Sequence, residues 1–285
     1  MLKAGPNTAG PGAHHRLKAA AAIDGPGDIA AFTVWWGLRA YNKTKCTGSV
    51  PALRLRRVLD SVEADIPVAT TCDLDTPAAV THCAGTSCTL AIAYDQTGNN
   101  ACGGASCDCV QTSTAAQLAF VFNCLGTKPC VQSAATAVQC ISANNFTPAT
   151  GTQSLHYVGG RTAGTVATVP ISVGSLSRIA TAAGAANWSL LSSAGSVVRA
   201  ATDGAWHVAA GVATAGANLS SLSIDGVTTA GTVTPGVTVG APLMGRGGAG
   251  ATQSTVEGGF IDNAIFSAGQ ITNLNTNART WWGIP

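Results

Sequence analysis

The chain predicts an all-β fold of antiparallel strands, and three observations carry that prediction. Its 285 residues include 34 glycines, with 46% hydrophobic and only 10% charged residues, a turn-rich and weakly charged composition that suits sheets rather than helices. Short runs of period-two alternation recur between turn signals, as half-buried strands do. All ten cysteines fall between Cys46 and Cys140, and an even, clustered set without zinc-type spacing reads as disulfides made in an oxidising setting. The length suits one large β-domain or two ordinary ones.

Taken in order, residues 1–28 hold Pro6, Pro11 and Pro26 among glycines and cannot bury a core, so an extended N-terminal arm held by a neighbouring subunit is expected. His14 and His15 within it read as solvated, because a metal site needs three or four converging ligands. Ala30 to Tyr41 carries Phe32, Val34, Trp35, Trp36 and Leu38 and predicts a first strand or short helix against the core. Its Trp-Trp-Gly recurs at Trp281 to Gly283, an echo that suggests the two ends of the domain meet. Pro51 to Ile66 alternates, with Leu53 and Leu55 facing in and Arg54 and Arg56 facing out, and the basic stretch Arg54, Arg56 and Arg57 reads as structural ion pairs. In Thr89 to Tyr94, Leu90, Ile92 and Tyr94 alternate with small residues, and Asp95-Gln96-Thr97-Gly98 follows as a turn.

Cys83 with Cys88 and Cys102 with Cys107 each bracket four residues and read as small disulfide staples rather than a metal site. Gln117 to Asn123 is a further alternating strand, and Cys124 with Cys130 brackets a hairpin-like loop that a disulfide closes. From Ser154 the cysteines vanish and short Thr, Ala, Gly, Ser and Val runs predict closely spaced antiparallel strands. Ala268 to Thr280, with Ile271, Leu274 and Ala278 at helical spacing, predicts a short terminal helix.

Two sets of motifs add a resemblance. Cys83-Ala-Gly-Thr-Ser-Cys88 running into Tyr94-Asp-Gln-Thr-Gly-Asn99, preceded by the alternating strand that ends at Arg56-Arg57, resembles the catalytic domain of family-54 α-L-arabinofuranosidases. Trp206-His207, Leu222-Ser-Ile-Asp-Gly226, Gly245-Arg246 and Gly258-Gly-Phe-Ile-Asp-Asn-Ala-Ile-Phe266 resemble, in order, the laminin-G-like series. Together they imply a concanavalin A-like jelly-roll β-sandwich with disulfide-stapled loops. The expected organisation is an arm over 1–28 and a single jelly-roll over 29–285, with a cysteine-rich part at 46–140 and a laminin-G-like part at 154–285.

A retaining glycosidase needs two facing carboxylates about 5 to 5.5 Å apart. The resemblance implies a glutamate in the middle of the chain and an aspartate in a Gly-rich segment, yet the chain has two glutamates, Glu63 and Glu257. The segment Gly245 to Thr255 has no aspartate, and Arg246 stands near its expected place. No catalytic residue is therefore expected. Asp203, Asp225 and Asp262 sit at strand ends and turns, where aspartate is structural. Gly245-x-Gly-x-x-Gly250 matches a dinucleotide fingerprint but lacks the following helix. Tyr94, Asp95, Gln96 and Asn99 are the candidates for carbohydrate binding, through stacking and hydrogen bonds.

A net charge of +2 without a basic run argues against nucleic acid, and no stretch approaches the roughly 18 apolar residues of a membrane span. Residues 1–28 show no apolar signal-peptide core. Gly25 to Ile29 and Trp35 to Tyr41 resemble segments of tailed-phage proteins. The expectation is thus a non-catalytic structural protein on the surface of a virion, a capsid decoration or tail/fibre component. Its partners would be other virion proteins and further copies of itself, with host-glycan adhesion as an addition and no cofactor or metal. The alternatives are a secreted arabinofuranosidase-like hydrolase and a free carbohydrate-binding module.

Overall fold

The computed structural model describes residues 24–134, 139–149, 151–162, 167–173, 177–182, 187–192, 194–236, 238–247 and 251–285. Residues 1–23, most of the expected arm, lie outside the described residues. The first half contributes β1 (Val34–Gly37), β2 (Pro51–Arg57), β3 (Glu63–Pro67), β4 (Cys88–Ala93), β5 (Cys109–Val110), β6 (Leu118–Leu125), β7 (Lys128–Ala134) and β8 (Cys140–Ser142). The second contributes β9 (Thr152–Arg161), β10 (Thr168–Val173), β11 (Ser177–Thr181), β12 (Asn187–Leu191), β13 (Ala194–Ala200), β14 (Trp206–Thr214) and β15 (Ser220–Ile224). It ends with β16 (Val227–Gly231), β17 (Val233–Thr234), β18 (Leu243–Arg246) and β19 (Thr252–Asp262). Three α-helices, α1 (Pro26–Ile29), α2 (Thr76–His82) and α3 (Ala268–Trp282), and two 3-10 turns, Lys43–Lys45 and Thr114–Ala116, complete the described chain.

Every ladder among the described residues is antiparallel, and the strands form a jelly-roll sandwich. One layer runs β1, β19, β9, β14, β15, β16. The other runs β13, β12, β11, β10, β18, β8, β5, β4. β10 faces β9 and β19 across the core, and β13 faces β15 and β16. At one end β7 pairs with β19 while β6, β4, β2 and β3 continue from it, so the cysteine-rich strands close the two layers into nearly one sheet. These ladders, with those between β8 and β18 and between β1 and β19, tie residues 29–142 to the laminin-G-like part.

The echo of Trp-Trp-Gly at the two ends has a structural counterpart, since β1 lies beside the last strand with Val34 opposite Phe260. Trp35, Trp36, Trp188, Tyr157 and Phe260 are among the largest side chains sealed in the core, where each such residue stabilises by roughly 1.5 to 3 kcal/mol. Gly259 is where β1 comes closest, because a Cβ there would stand 2.6 Å from the Val34 carbonyl oxygen. The end of the expected arm is corrected by the structure. Gly25 and Pro26 start a helical turn, and Gly27 packs so tightly under Tyr41 that a Cβ would meet its ring at 2.5 Å. Gly25 to Ile29 and Trp35 to Tyr41 are thus one interlocked unit.

β4 departs from simple alternation. Leu55 pairs with Leu90 but Arg54 pairs with Ile92, so Ala91 is an extra residue that shifts the faces by one. Leu90 stays buried, then Ala91 and Ala93 turn inward and Ile92 and Tyr94 are half-buried. The helix α3 is opened by Ser267 and Gln270 capping one another and closed by Gly283 in the left-handed region, and it buries Leu274, Ala278 and Trp282. Five disulfides are formed: Cys83–Cys88, Cys102–Cys107 and Cys124–Cys130 close short loops, while Cys46–Cys72 and Cys109–Cys140 span 26 and 31 residues.

Candidate functional site

The arabinofuranosidase-like motifs direct attention first to the carboxylates, and all thirteen acids of the chain lie in described residues. Glu257, on β19 just past a bulge at Val256, has no solvent exposure. Its two oxygens accept a fork from Arg39, Nη2 at 2.7 Å and Nε at 2.5 Å, and His156 Nε2 on β9 lies 3.5 Å away. Burial pushes the carboxyl upward, but the Arg39 charge and His156 outweigh it and hold it below the usual range. Trp281 lies against Arg39, 5.0 Å from the guanidinium carbon, so α3 covers this ion pair.

The other carboxylates are likewise engaged. Asp24 meets Lys43, Asp28 caps Gly25, Asp60 meets Arg57, and Glu63 meets Arg56 at 3.3 Å. Asp65 takes a fork from Arg54, Asp73 meets Lys128 and the Trp281 indole, and Asp75 caps α2. Asp203 takes a fork from Arg161, Asp225 accepts from His207, and Asp262 accepts the Ala149 amide at 2.8 Å. Asp95 and Asp108 come close together, Asp108 Oδ1 accepting the Asp95 amide at 2.8 Å. Burial raises the Asp95 carboxyl and Asp108 raises it further, against the hydrogen bonds from Thr97 and Trp35. Asp95 Oδ2 and Asp262 Oδ1 are enclosed and without a hydrogen-bond partner.

Three of the four residues expected to bind carbohydrate, Asp95, Gln96 and Asn99, form a clasp on β1 and its flanking backbone, while Tyr94 turns to β3. Asp95 Oδ1 accepts the amides of Trp35 and Thr97 and the Thr97 hydroxyl. Gln96, 3% exposed, donates to the carbonyls of Gly37 and Arg39 and accepts the Tyr41 amide at 2.9 Å. Asn99 donates to the Phe32 carbonyl at 2.9 Å, and the Tyr94 hydroxyl donates to Asp65 at 2.7 Å. The polar groups of the turn therefore satisfy backbone that β1 would otherwise leave unpaired on that side.

The arrangement also gathers residues that sequence reasoning passed over. Arg39 carried no signal, since nothing local marks its partner 218 residues away. Arg56 and Arg57 line a pocket of about 290 Å³ with Val58, Ser61, Thr89, Thr114, Ala115 and Gln117. The Arg-Arg pair is visible in the sequence as a source of structural ion pairs, and Glu63 and Asp60 supply their partners; the pocket beside it is not. Among the described residues no group of three or more His, Cys, Asp or Glu side chains is placed to hold a metal ion.

No family model matches the chain, and no curated protein matches it in sequence. Solved structures do match in fold. One is a family-54 α-L-arabinofuranosidase soaked with a cyclic sulfate inhibitor, with a TM-score of 0.66 and 16% identity. A second is a mutant of a family-54 enzyme soaked with 4-nitrophenyl α-L-arabinofuranoside, with a TM-score of 0.65 and 16% identity. A third is an arabinofuranosidase complexed with arabinofuranosyl-α-1,2-xylobiose, with a TM-score of 0.64 and 17% identity. Each comparison covers 89% of this chain and 64% of the other, so the chain spans under two thirds of those proteins' length. At such identity the likeness is one of fold.

Proposed function

We propose that this chain is a non-catalytic jelly-roll that works by assembly and binding, as a structural component on the surface of a tailed-phage particle. The observation that carries the non-catalytic reading is the commitment of every carboxylate to a structural partner, with Glu257 sealed against Arg39. Glycoside hydrolysis needs two carboxyl groups open to one substrate. Five disulfides suit a particle outside the reducing cytosol. The resemblance of Gly25 to Ile29 and Trp35 to Tyr41 to phage segments supports the setting. Its partners in this reading are other virion proteins and further copies of the chain. Detection of the protein in particles purified through a density gradient tests this, and its absence from every particle fraction would overturn it.

The fold likeness to family-54 enzymes favours a second reading, a glycoside hydrolase. Disulfide-intact protein is expected to release no 4-nitrophenol from 4-nitrophenyl α-L-arabinofuranoside. Release that is lost in Asp95→Asn, Asp108→Asn or Asp262→Asn at unchanged thermal stability would establish the hydrolase instead.

A further inference from the structure

The pocket beside Arg56 and Arg57 is built from one end of the cysteine-rich strands. β2 supplies the two arginines, the turn into β3 supplies Val58 and Ser61, and the segment before β6 supplies Thr114 and Gln117. No carboxylate lines it. Arg56 donates one hydrogen bond, to Glu63 at 3.3 Å, and Arg57 donates one, to the His82 carbonyl. Arg57 Nε is enclosed without a hydrogen bond, its approach to Asp60 at 3.1 Å being a charge contact. Most of the N–H donors on two guanidinium forks are thus unclaimed among the described residues. The hydroxyls of Ser61 and Thr114 make no hydrogen bond among the described residues, and Gln117 has its oxygen occupied by Thr89 while its amide nitrogen donates once, to Gln111.

Each arginine meets one carboxylate outside the lining, Glu63 and Asp60, and the donors left over on the two forks, in a lining with few acceptors, suit a ligand that is negatively charged and rich in acceptors. The volume, about 290 Å³, is at the small end for ligand sites, and Val58, 58% exposed, offers an apolar wall at the rim. We propose that this pocket binds a single acidic sugar residue, its carboxylate held by Arg56 and Arg57 and its hydroxyl oxygens by Ser61, Thr114 and Gln117. The site gives the protein a recognition function that holds whether or not it is part of a particle.

Saturation-transfer NMR and titration calorimetry on the disulfide-intact full chain test the proposal with D-glucuronate, D-glucose and inorganic phosphate as probes. Glucuronate is expected to bind saturably, and glucose at least about tenfold more weakly, the loss expected for a charge-assisted contact. Arg56→Gln and Arg57→Gln should each weaken glucuronate roughly tenfold. Thr114→Val, which removes a hydroxyl without a protein partner, should weaken it at unchanged melting temperature and so separates recognition from folding. No binding of glucuronate, equal binding of glucose, or binding unaffected by all three variants would overturn the site. Phosphate binding as tightly as glucuronate would overturn its assignment to a sugar.

Discussion

Replacing Glu257 by glutamine isolates the charge of the buried ion pair. The substitution keeps shape and volume but leaves the Arg39 guanidinium, 1% exposed, without a counter-charge, and Arg39 Nη1 and His156 Nδ1 already lack partners. Removing one member of a buried pair costs about 3 to 5 kcal/mol, because the survivor's desolvation is no longer offset. An unfolding entropy of about 2.1 cal/mol/K per residue over 285 residues gives roughly 0.6 kcal/mol/K, so the melting temperature should fall by about 5 to 8 °C. Arg39→Met combined with Glu257→Leu should recover much of that loss, since an apolar pair needs no compensation. The native carboxyl is held below its unfolded value, so its contribution is present above about pH 4.3 and is lost as pH falls through the lower native value. Glu257→Gln should remove that part of the acid limb. Calorimetric melts at pH 7 and across the acid range read both effects, and a melting temperature within 1 °C of the parent, an assay threshold well inside the expected fall, would refute the reasoning.

Three further outcomes follow from the same interactions. Gln96→Ala orphans two carbonyls and an amide on the β1 side, each costing about 1 to 3 kcal/mol when buried, and should destabilise in a denaturant titration far more than Tyr94→Phe. In His207, burial favours the neutral ring, but Asp225 at 2.6 Å and the Thr202 carbonyl at 2.8 Å outweigh it and raise the pKa. That stability is complete below about pH 6.5 and fades as pH rises through the higher native value, so melts between pH 6 and 9, a window chosen around the unperturbed value, should steepen in the parent and flatten in His207→Phe. Cys-to-Ser replacement of the 26-residue span Cys46–Cys72 or the 31-residue span Cys109–Cys140 should cost about 3.6 kcal/mol, against about 2.2 for the short loops. Equal losses at both classes by chemical denaturation would show that loop entropy is not the source.

The legible part of the fold is the part set by near neighbours. Leu53 and Leu55 read as inward and Arg54 and Arg56 as outward, and they are so, because alternation needs only the pleat. The staples Cys83–Cys88, Cys102–Cys107 and Cys124–Cys130 and the helix α3 are local in the same way. The phase of β4 was not legible, because the extra residue at Ala91 exists only against its partner strand. Of the candidate site, Asp95, Gln96 and Asn99 were picked out by residue type, but their use as a clasp on β1 depends on a strand about 60 residues earlier.

By itself, then, the amino-acid order determined the β class, the alternation of strands such as β2, three short cross-links and the presence of two glutamates in the whole chain. Only the tertiary structure decided that Glu257 faces Arg39, that Cys46 joins Cys72 and Cys109 joins Cys140, and that Arg56 and Arg57 line a pocket with Thr114. Burial patterns repeat over two to four residues and are written locally. Which distant strands share a face is settled by packing of the whole sandwich, and a one-residue bulge is enough to reverse it.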